Sequence, residues 1–249
     1  MAFGIQNKSL HVRLFNEMHD LTFHDNAELL CEFLQFVVYE ILYQRRIYPP
    51  ILFEARRKYG ATVHIPRSNL LMDYIQKFTM ALLNDLSQGL ITNVNVHIFM
   101  QTENEPLNED ATPIEEFLVE IICFLTEEEI KDNVRVENQA NIGDIEAYFR
   151  GCLTTLTNIV LSQIPALGDE KEYTFRLSVQ MKESYQPSGR FGQVEEEVVW
   201  VPMGGQNVFH RVIDPHHHGK EKNMHIKKQI YPLRSFNTGF FNVQLLLKR

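Results

Sequence analysis

From Asp25 to Tyr43 the chain reads DNAELLCEFLQFVVYEILY, and Leu29, Leu30, Phe33, Leu34, Val37, Val38, Ile41 and Leu42 recur at helical spacing. Phe36, Tyr39 and Tyr43 add a second apolar stripe to the same helix. A helix that is apolar on two sides cannot lie on a surface, so the rest of the chain must cover it from two directions. Asp25 or Asn26 is available as the N-cap, and Pro49-Pro50 ends the run.

The material for those layers follows in order. After a short segment from Phe53 to Tyr59, Ala61 to Ile65 reads as a brief strand. Ser68 then caps a helix carrying Leu71, Tyr74, Ile75, Phe78, Leu82, Leu83 and Leu86, which Gly89 stops. Val94, Val96, Ile98 and Met100 alternate with polar residues, as do Phe117, Val119, Ile121 and Cys123 beyond the acidic loop TENEPLNEDATP, so these two runs predict a hairpin. The run TEEEIKDN reads as a solvated loop. A third helix is predicted from about Ile142 to Ile164, closed by Pro165, and Tyr173, Phe175, Leu177, Val179 and Met181 make a period-two strand. The result is an α+β arrangement, with helices packed on one sheet.

The last third differs. After an apolar VVWVP comes a polar stretch from Met203 to Gln229 with five histidines, and then a final strand, FFNVQLLLK. A connection of that length with no predicted element marks a functional segment in an otherwise compact fold. Nothing signals a linker to a second unit, so residues 1–249 read as a single domain with an elaborate C-terminal segment.

Composition narrows the function. The chain has 249 residues, 44% of them hydrophobic, which suffices for a large core. A formal charge of −8 argues against a protein that wraps nucleic acid, although Arg45, Arg46, Arg56, Arg57 and Lys58 form a local basic cluster. Arg45 and Arg46 suit the last turn of the first helix, where cations complement the dipole, and Arg56 to Lys58 suit a solvated face; weak contact with nucleic acid is the other reading. The first twenty residues lack a signal-peptide core and no run is long enough to span a membrane, so a soluble intracellular protein is expected. Cys31, Cys123 and Cys152 are an odd number without metal-site spacing and sit among apolar neighbours, which suits buried free thiols.

Catalytic signatures are missing: there is no G-x-S-x-G, P-loop or G-x-G-x-x-G motif. Glu115, Glu116 and Glu120 could pair as acid and base, but acidic strand edges ordinarily face solvent. His210, Asp214, His216, His217, His218 and His225 could hold zinc or copper in a metal-dependent hydrolase. Three consecutive histidines in a Gly/Pro loop diverge, however, so a solvated loop is preferred and no cofactor or metal is assigned.

Several stretches, taken in order, resemble one family. LLCEFLQFVVYEILYQRRIYPPILFEARRKYG resembles the first helix and following signature of HORMA domains, LLMDYIQKFTMALL their second helix, VNVHIF with EEFLVEI their hairpin, and IEAYFRGCLTTL their third helix. YTFRLSVQM and YPLRSFNTGFFNVQLLL complete a match over about residues 20 to 249. The resemblance implies three helices packed on a mainly antiparallel sheet, a core over about residues 20–183, and a mobile "safety-belt" segment over about 184–249 that traps a partner's peptide. LLCEFL, DYIQ, EEFLVEI and the tryptophan before the last segment are similar to the branch that serves translesion DNA polymerase zeta as its non-catalytic accessory subunit. ILYQR-IYP and LRSF-T are similar to the spindle-checkpoint branch.

By resemblance, Tyr74 and Trp200 hold a proline-containing peptide of the polymerase's catalytic subunit. Ile230, Gln244 and Leu246 engage a deoxycytidyl-inserting scaffold polymerase, and Arg150 serves HORMA homo- or heterodimerisation. The ordinary alternatives are core aromatics for the first pair, strand packing for the next three and a surface charge for Arg150. The branch further implies a nuclear protein that meets DNA only indirectly and no membrane.

Overall fold

The computed structural model describes residues 21–101, 111–132, 140–162, 164–165, 167–168, 172–183, 185, 200–202, 208–211 and 229–249. Helix α1 spans Phe23–Gln44. Its N-cap is Thr22, not Asp25 or Asn26. The Thr22 amide and hydroxyl donate to Asp25 Oδ2 at 2.8 and 2.7 Å, and the Asp25 amide donates back to the Thr22 hydroxyl, so Asp25 is the third residue of a capping box. The helix is buried on both predicted stripes: Leu29, Phe33, Leu34, Val37, Ile41 and Leu42 on one, Tyr39 on the other. It stops before Pro49, with Arg45 as C-cap and Arg46 at φ +52°.

A 3-10 turn, Pro50–Leu52, leads into strand β1 (Phe53–Lys58), which pairs antiparallel with β2 (Ala61–Pro66). The β1 strand is absent from the periodicity because Arg56, Arg57 and Lys58 follow one another, and only Phe53 of the strand is buried. Tyr59 (φ +52°) and Gly60 (φ +78°) make the two-residue turn of this hairpin. Tyr59 holds that conformation by burying its ring against Phe149 and Phe36 and donating its hydroxyl to Glu32 at 2.9 Å.

The second predicted helix is two: α2 (Asn69–Ala81), capped by Ser68 as expected, and a single turn, α3 (Leu83–Leu86), before Gly89 at φ +64°. The hairpin is β3 (Ile91–Gln101) with β4 (Glu115–Cys123). The stretch read as a solvated loop is a short exposed helix, α4 (Glu127–Lys131), because Thr126 and Glu129 form a second capping box. Helix α5 (Ile142–Ser162) and strand β5 (Glu172–Met181) follow. Residues 102–110 of the acidic hairpin tip lie outside the described residues.

The C-terminal third holds more structure than its polarity suggests. Strands β6 (Trp200–Pro202) and β7 (Val208–Arg211) form a hairpin, and β8 (Ile230–Asn237) pairs with β9 (Phe241–Lys248). One seven-stranded sheet results, in the order β6-β7-β5-β3-β4-β9-β8, and every pairing is antiparallel. Edge strand β8 escaped the sequence reading because Pro232 and a register shift between Pro232 and Arg234 break its alternation, as is usual at an edge.

The helices cover one face of the sheet. Val94, Val96, Ile98, Phe117, Val119, Leu177, Val179, Val243 and Leu245 share a core there with α1, α2 and α5. Phe33 of α1 stacks on Phe149 of α5, with centroids 4.2 Å apart, and both meet Phe236 of β8 edge-on, so the C-terminal strands are built into the core. The outer face is polar at its centre, where Asn95 donates to the Ser178 hydroxyl at 3.1 Å and His97 Nε2 lies 2.7 Å from it. No described helix is long and apolar enough to cross a membrane.

Two charged residues expected in solvent are buried. Arg45 and Glu115 are 3% and 0% exposed. They form a bidentate pair, with Arg45 Nε and Nη2 each 2.7 Å from a Glu115 oxygen. Spacing along each element could not show this, since the partners are 70 residues apart and each compensates the other's desolvation.

Candidate functional site

The two ends of β5 differ on the side facing away from β3. Ser178, Val179 and Gln180 pair with β7, whereas Glu172–Leu177 have no strand partner on that side among the described residues. Those six residues span about 20 Å of strand. Beside this edge lies a cavity of ≈ 490 Å³ lined by Tyr48, Leu52, Phe53, Leu71, Tyr74 and Phe175, among others. That size is typical of ligand pockets, and most of the lining is apolar.

Each wall has a local cause. The Pro49-Pro50 turn ends the α1 connection and puts Tyr48 and Leu52 on the rim. Ser68 starts α2 so that Leu71 and Tyr74, one turn apart, face the sheet. Phe175 meets Tyr74 edge-on at 6.0 Å and Tyr48 at 6.3 Å, closing the floor. Burial raises the Tyr48 phenol above its ordinary range, so it remains a neutral hydrogen-bond donor at physiological pH.

Tyr74 therefore sits in the groove and is half-buried there. Trp200 lies in β6, paired through β7 to the same edge of the sheet; its side chain is outside the described residues. Tyr48, Leu52 and Phe175 were missed as site residues. The only available signal was the tyrosine beside a double proline, since Phe175 looked like any strand residue.

A second surface is the outer face of β8–β9. Ile230, Gln244 and Leu246 share it: Pro232 pairs with Leu246, Ile230 with Lys248 and Ser235 with Gln244. Ile230 is 55% exposed, and the other two are half-buried. Glu120 of β4 stands opposite Gln244, and the exposed Ile122 extends the patch. Arg150 is on neither surface. It is exposed on α5 and lies against the Tyr59-Gly60 turn, where a Cβ on Gly60 would meet its Nη1 at 3.1 Å.

Asp214, His216, His217, His218 and His225 lie outside the described residues; His210 is in β7, opposite Ser178. Among the described residues no group of three metal-ligating side chains converges. All three cysteines are free. Burial pushes the Cys152 thiol up to about 12 and raises Cys31 further, so neither is a nucleophile.

Between Arg211 of β7 and Ile230 of β8 the chain passes from one side of the sheet to the other. The sequence profile of the HORMA domain matches residues 27–218. The chain belongs to the HORMA domain family. This HORMA chain is similar to the DNA polymerase zeta processivity subunit of Schizosaccharomyces pombe, with 29% identity over 162 residues, 64% of this chain and 70% of that protein. It is also similar to the human mitotic spindle assembly checkpoint protein MAD2B, with 34% identity over 95 residues, 38% of this chain and 41% of that protein. The alignment with the human protein thus spans less than half of its length. In fold it matches Caenorhabditis elegans HTP-2 bound to the HIM-3 closure motif, with a TM-score of 0.62 at 11% identity, covering 96% of each chain.

Proposed function

We propose that this HORMA chain is a non-catalytic adaptor subunit of translesion DNA polymerase zeta that acts in the nucleus in DNA damage tolerance. A proline-containing peptide of the catalytic subunit adds as a strand to Glu172–Leu177 of β5, and Tyr74 and Trp200 hold it. The C-terminal segment crosses over it. The outer β8–β9 face, with Ile230, Gln244 and Leu246, receives the deoxycytidyl-inserting scaffold polymerase, and Arg150 serves pairing with a second HORMA domain. DNA is reached through these partners, in keeping with the net charge of −8.

The observation that carries the reading is the Tyr74 cavity beside Glu172–Leu177 of β5, a stretch with no strand partner on that side among the described residues. Strand addition gives affinity through backbone hydrogen bonds along a sheet edge, while alternate side chains enter a pocket and give selectivity. A peptide lying beneath a crossing segment leaves only after local unfolding, so its release is slow. The similarity to the fission-yeast DNA polymerase zeta processivity subunit supports the polymerase assignment.

Fluorescence anisotropy with a labelled proline-containing peptide from the zeta catalytic subunit tests this. Tyr74→Ala is expected to weaken binding by roughly thirtyfold or more, as for a central aromatic anchor, with an unchanged circular dichroism spectrum. Unchanged affinity would count against the reading. A second reading, a spindle-checkpoint adaptor of the same architecture, draws on the name of the human relative. The partner that co-purifies with the tagged chain distinguishes the two.

A further inference from the structure

At the far end of β4 the outer face turns apolar. Ile122 and Phe124 are 47% and 53% exposed, whereas Ile121 is buried and Cys123 and Leu125 pack against the core. The alternation has a local cause. Cys123 turns inward, where a Cβ on Gly89 would meet its Sγ at 3.0 Å, and the Phe124 amide donates to the Phe240 carbonyl at 3.1 Å, which carries the pairing one residue past the end of β4. Ile122 and Phe124 therefore stand on the outer face, one and two steps of about 6.8 Å beyond the Glu120–Gln244 pair. A specific interface engages about 20 residues a side, more than β8 and β9 turn outward. Toward β3 the face cannot supply the rest, because Leu118, Asn95 and His97 are 4%, 3% and 3% exposed. Along β4 it can, and adjoining apolar side chains this exposed mark a surface that a partner covers.

We propose that Ile122 and Phe124 are a second anchor for the partner docked on β8–β9, and that the partner's segment reaching them carries an apolar residue flanked by lysine or arginine. The inference rests on the reading that this face receives the deoxycytidyl-inserting polymerase. The charge of the segment follows from what rims the anchor. Glu120 precedes it on the same face, and Thr126 opens α4 two residues after Phe124, so Glu127, Glu128 and Glu129 stand in an exposed first turn. The Thr126 amide and hydroxyl donate to the Glu129 carboxylate at 2.8 and 2.9 Å, which holds it below the ordinary carboxylate range and keeps it anionic. Lys131, in the last turn of α4, and Lys182, which acts on the Cys123 thiol, leave the acidic groups in excess. An apolar centre with a charged rim is the ordinary anatomy of a binding hot spot, and the sign of the rim sets the sign of its partner.

Biolayer interferometry with the full chain and the purified deoxycytidyl-inserting polymerase tests this. The double variant Ile122→Ser/Phe124→Ser is expected to weaken binding by roughly tenfold or more, mainly through faster dissociation. Glu127→Lys/Glu128→Lys is expected to slow association at low salt, with the difference vanishing at high salt. These side chains are exposed, so neither the melting temperature nor the affinity for the peptide held at Tyr74 should move. If Ile230→Asp abolishes binding while the Ile122/Phe124 variant binds as the parent does, the second anchor is overturned and the docking reading stands. Association of the charge-reversed variant that is as fast as the parent's at low salt overturns the basic segment. Binding that neither Ile230→Asp nor the Ile122/Phe124 variant affects overturns both the anchor and the reading beneath it.

Discussion

Replacing Arg45 with Met removes one half of the most deeply buried ion pair among the described residues. Arg45 donates twice to Glu115 at 2.7 Å and once to the Pro165 carbonyl at 3.1 Å, joining the end of α1, the start of β4 and the residues after α5. Met keeps the aliphatic stem but leaves the Glu115 carboxylate, 0% exposed, with only Arg249 Nε in reach, at 3.4 Å, among the described residues. Arg249 is itself 34% exposed and screened by solvent, so it compensates little. Stranding one charge of such a pair costs about 3–5 kcal/mol, against a total stability of about 5–15 kcal/mol. At an m-value of about 3 kcal/mol/M, the urea midpoint should fall by more than about 1 M. Exchanging both partners, Arg45→Met with Glu115→Leu, removes the stranded charge and should recover most of the loss. Urea unfolding followed by circular dichroism and by tryptophan fluorescence, with coincident transitions, measures both variants. A single variant that loses less than about 1 kcal/mol, or a double variant that loses the sum of the singles, would refute the reasoning.

Alkaline pH should destabilise the protein through its buried thiols. Unfolded thiols ionise near ~8.5, whereas burial pushes Cys152 up to about 12 and Cys31 also rises, so above pH ~9 the unfolded state sheds protons that the native state keeps. Stability then falls by about 1.4 kcal/mol per pH unit for each thiol, and Cys152→Ala should flatten the slope of urea midpoint against pH. Gly60→Ala puts a side chain at φ +78° and within 3.1 Å of Arg150 Nη1; a loss of about 1–2 kcal/mol is expected by thermal denaturation, and no loss would show that the turn can relax. Ile230→Asp, at a 55% exposed site, should abolish pull-down of the deoxycytidyl-inserting polymerase without moving the melting temperature, and retained pull-down would remove the outer face from the proposal.

Much of this architecture was legible because side-chain periodicity is local. The two stripes of α1 announced a helix between two layers, and the alternation of β3, β4, β5 and β9 announced one-sided strands. Where the signal depended on a partner it failed. β1 carries three consecutive cations and is a strand only because β2 pairs with it; β7 is four residues in a polar stretch and is a strand only because β5 offers an edge. Of the groove, Tyr74 was nameable in advance by resemblance, whereas Tyr48, Leu52 and Phe175 come from three segments that only the fold brings together.

The sequence by itself determined the α+β class, the order of the main elements and the family, because these are written in spacings of a few residues and in motifs taken in order. The tertiary structure alone decided the fate of the basic cluster around the double proline: Arg45 is buried on Glu115, Lys58 is held 2.6 Å from Glu32, and Arg56 and Arg57 are left in solvent. It also decided that the C-terminal strands take both sides of the sheet, with only Ser178–Gln180 of β5 paired to β7 among the described residues. Burial of a charge and pairing of an edge are settled by groups far away in the chain, and no local pattern records them.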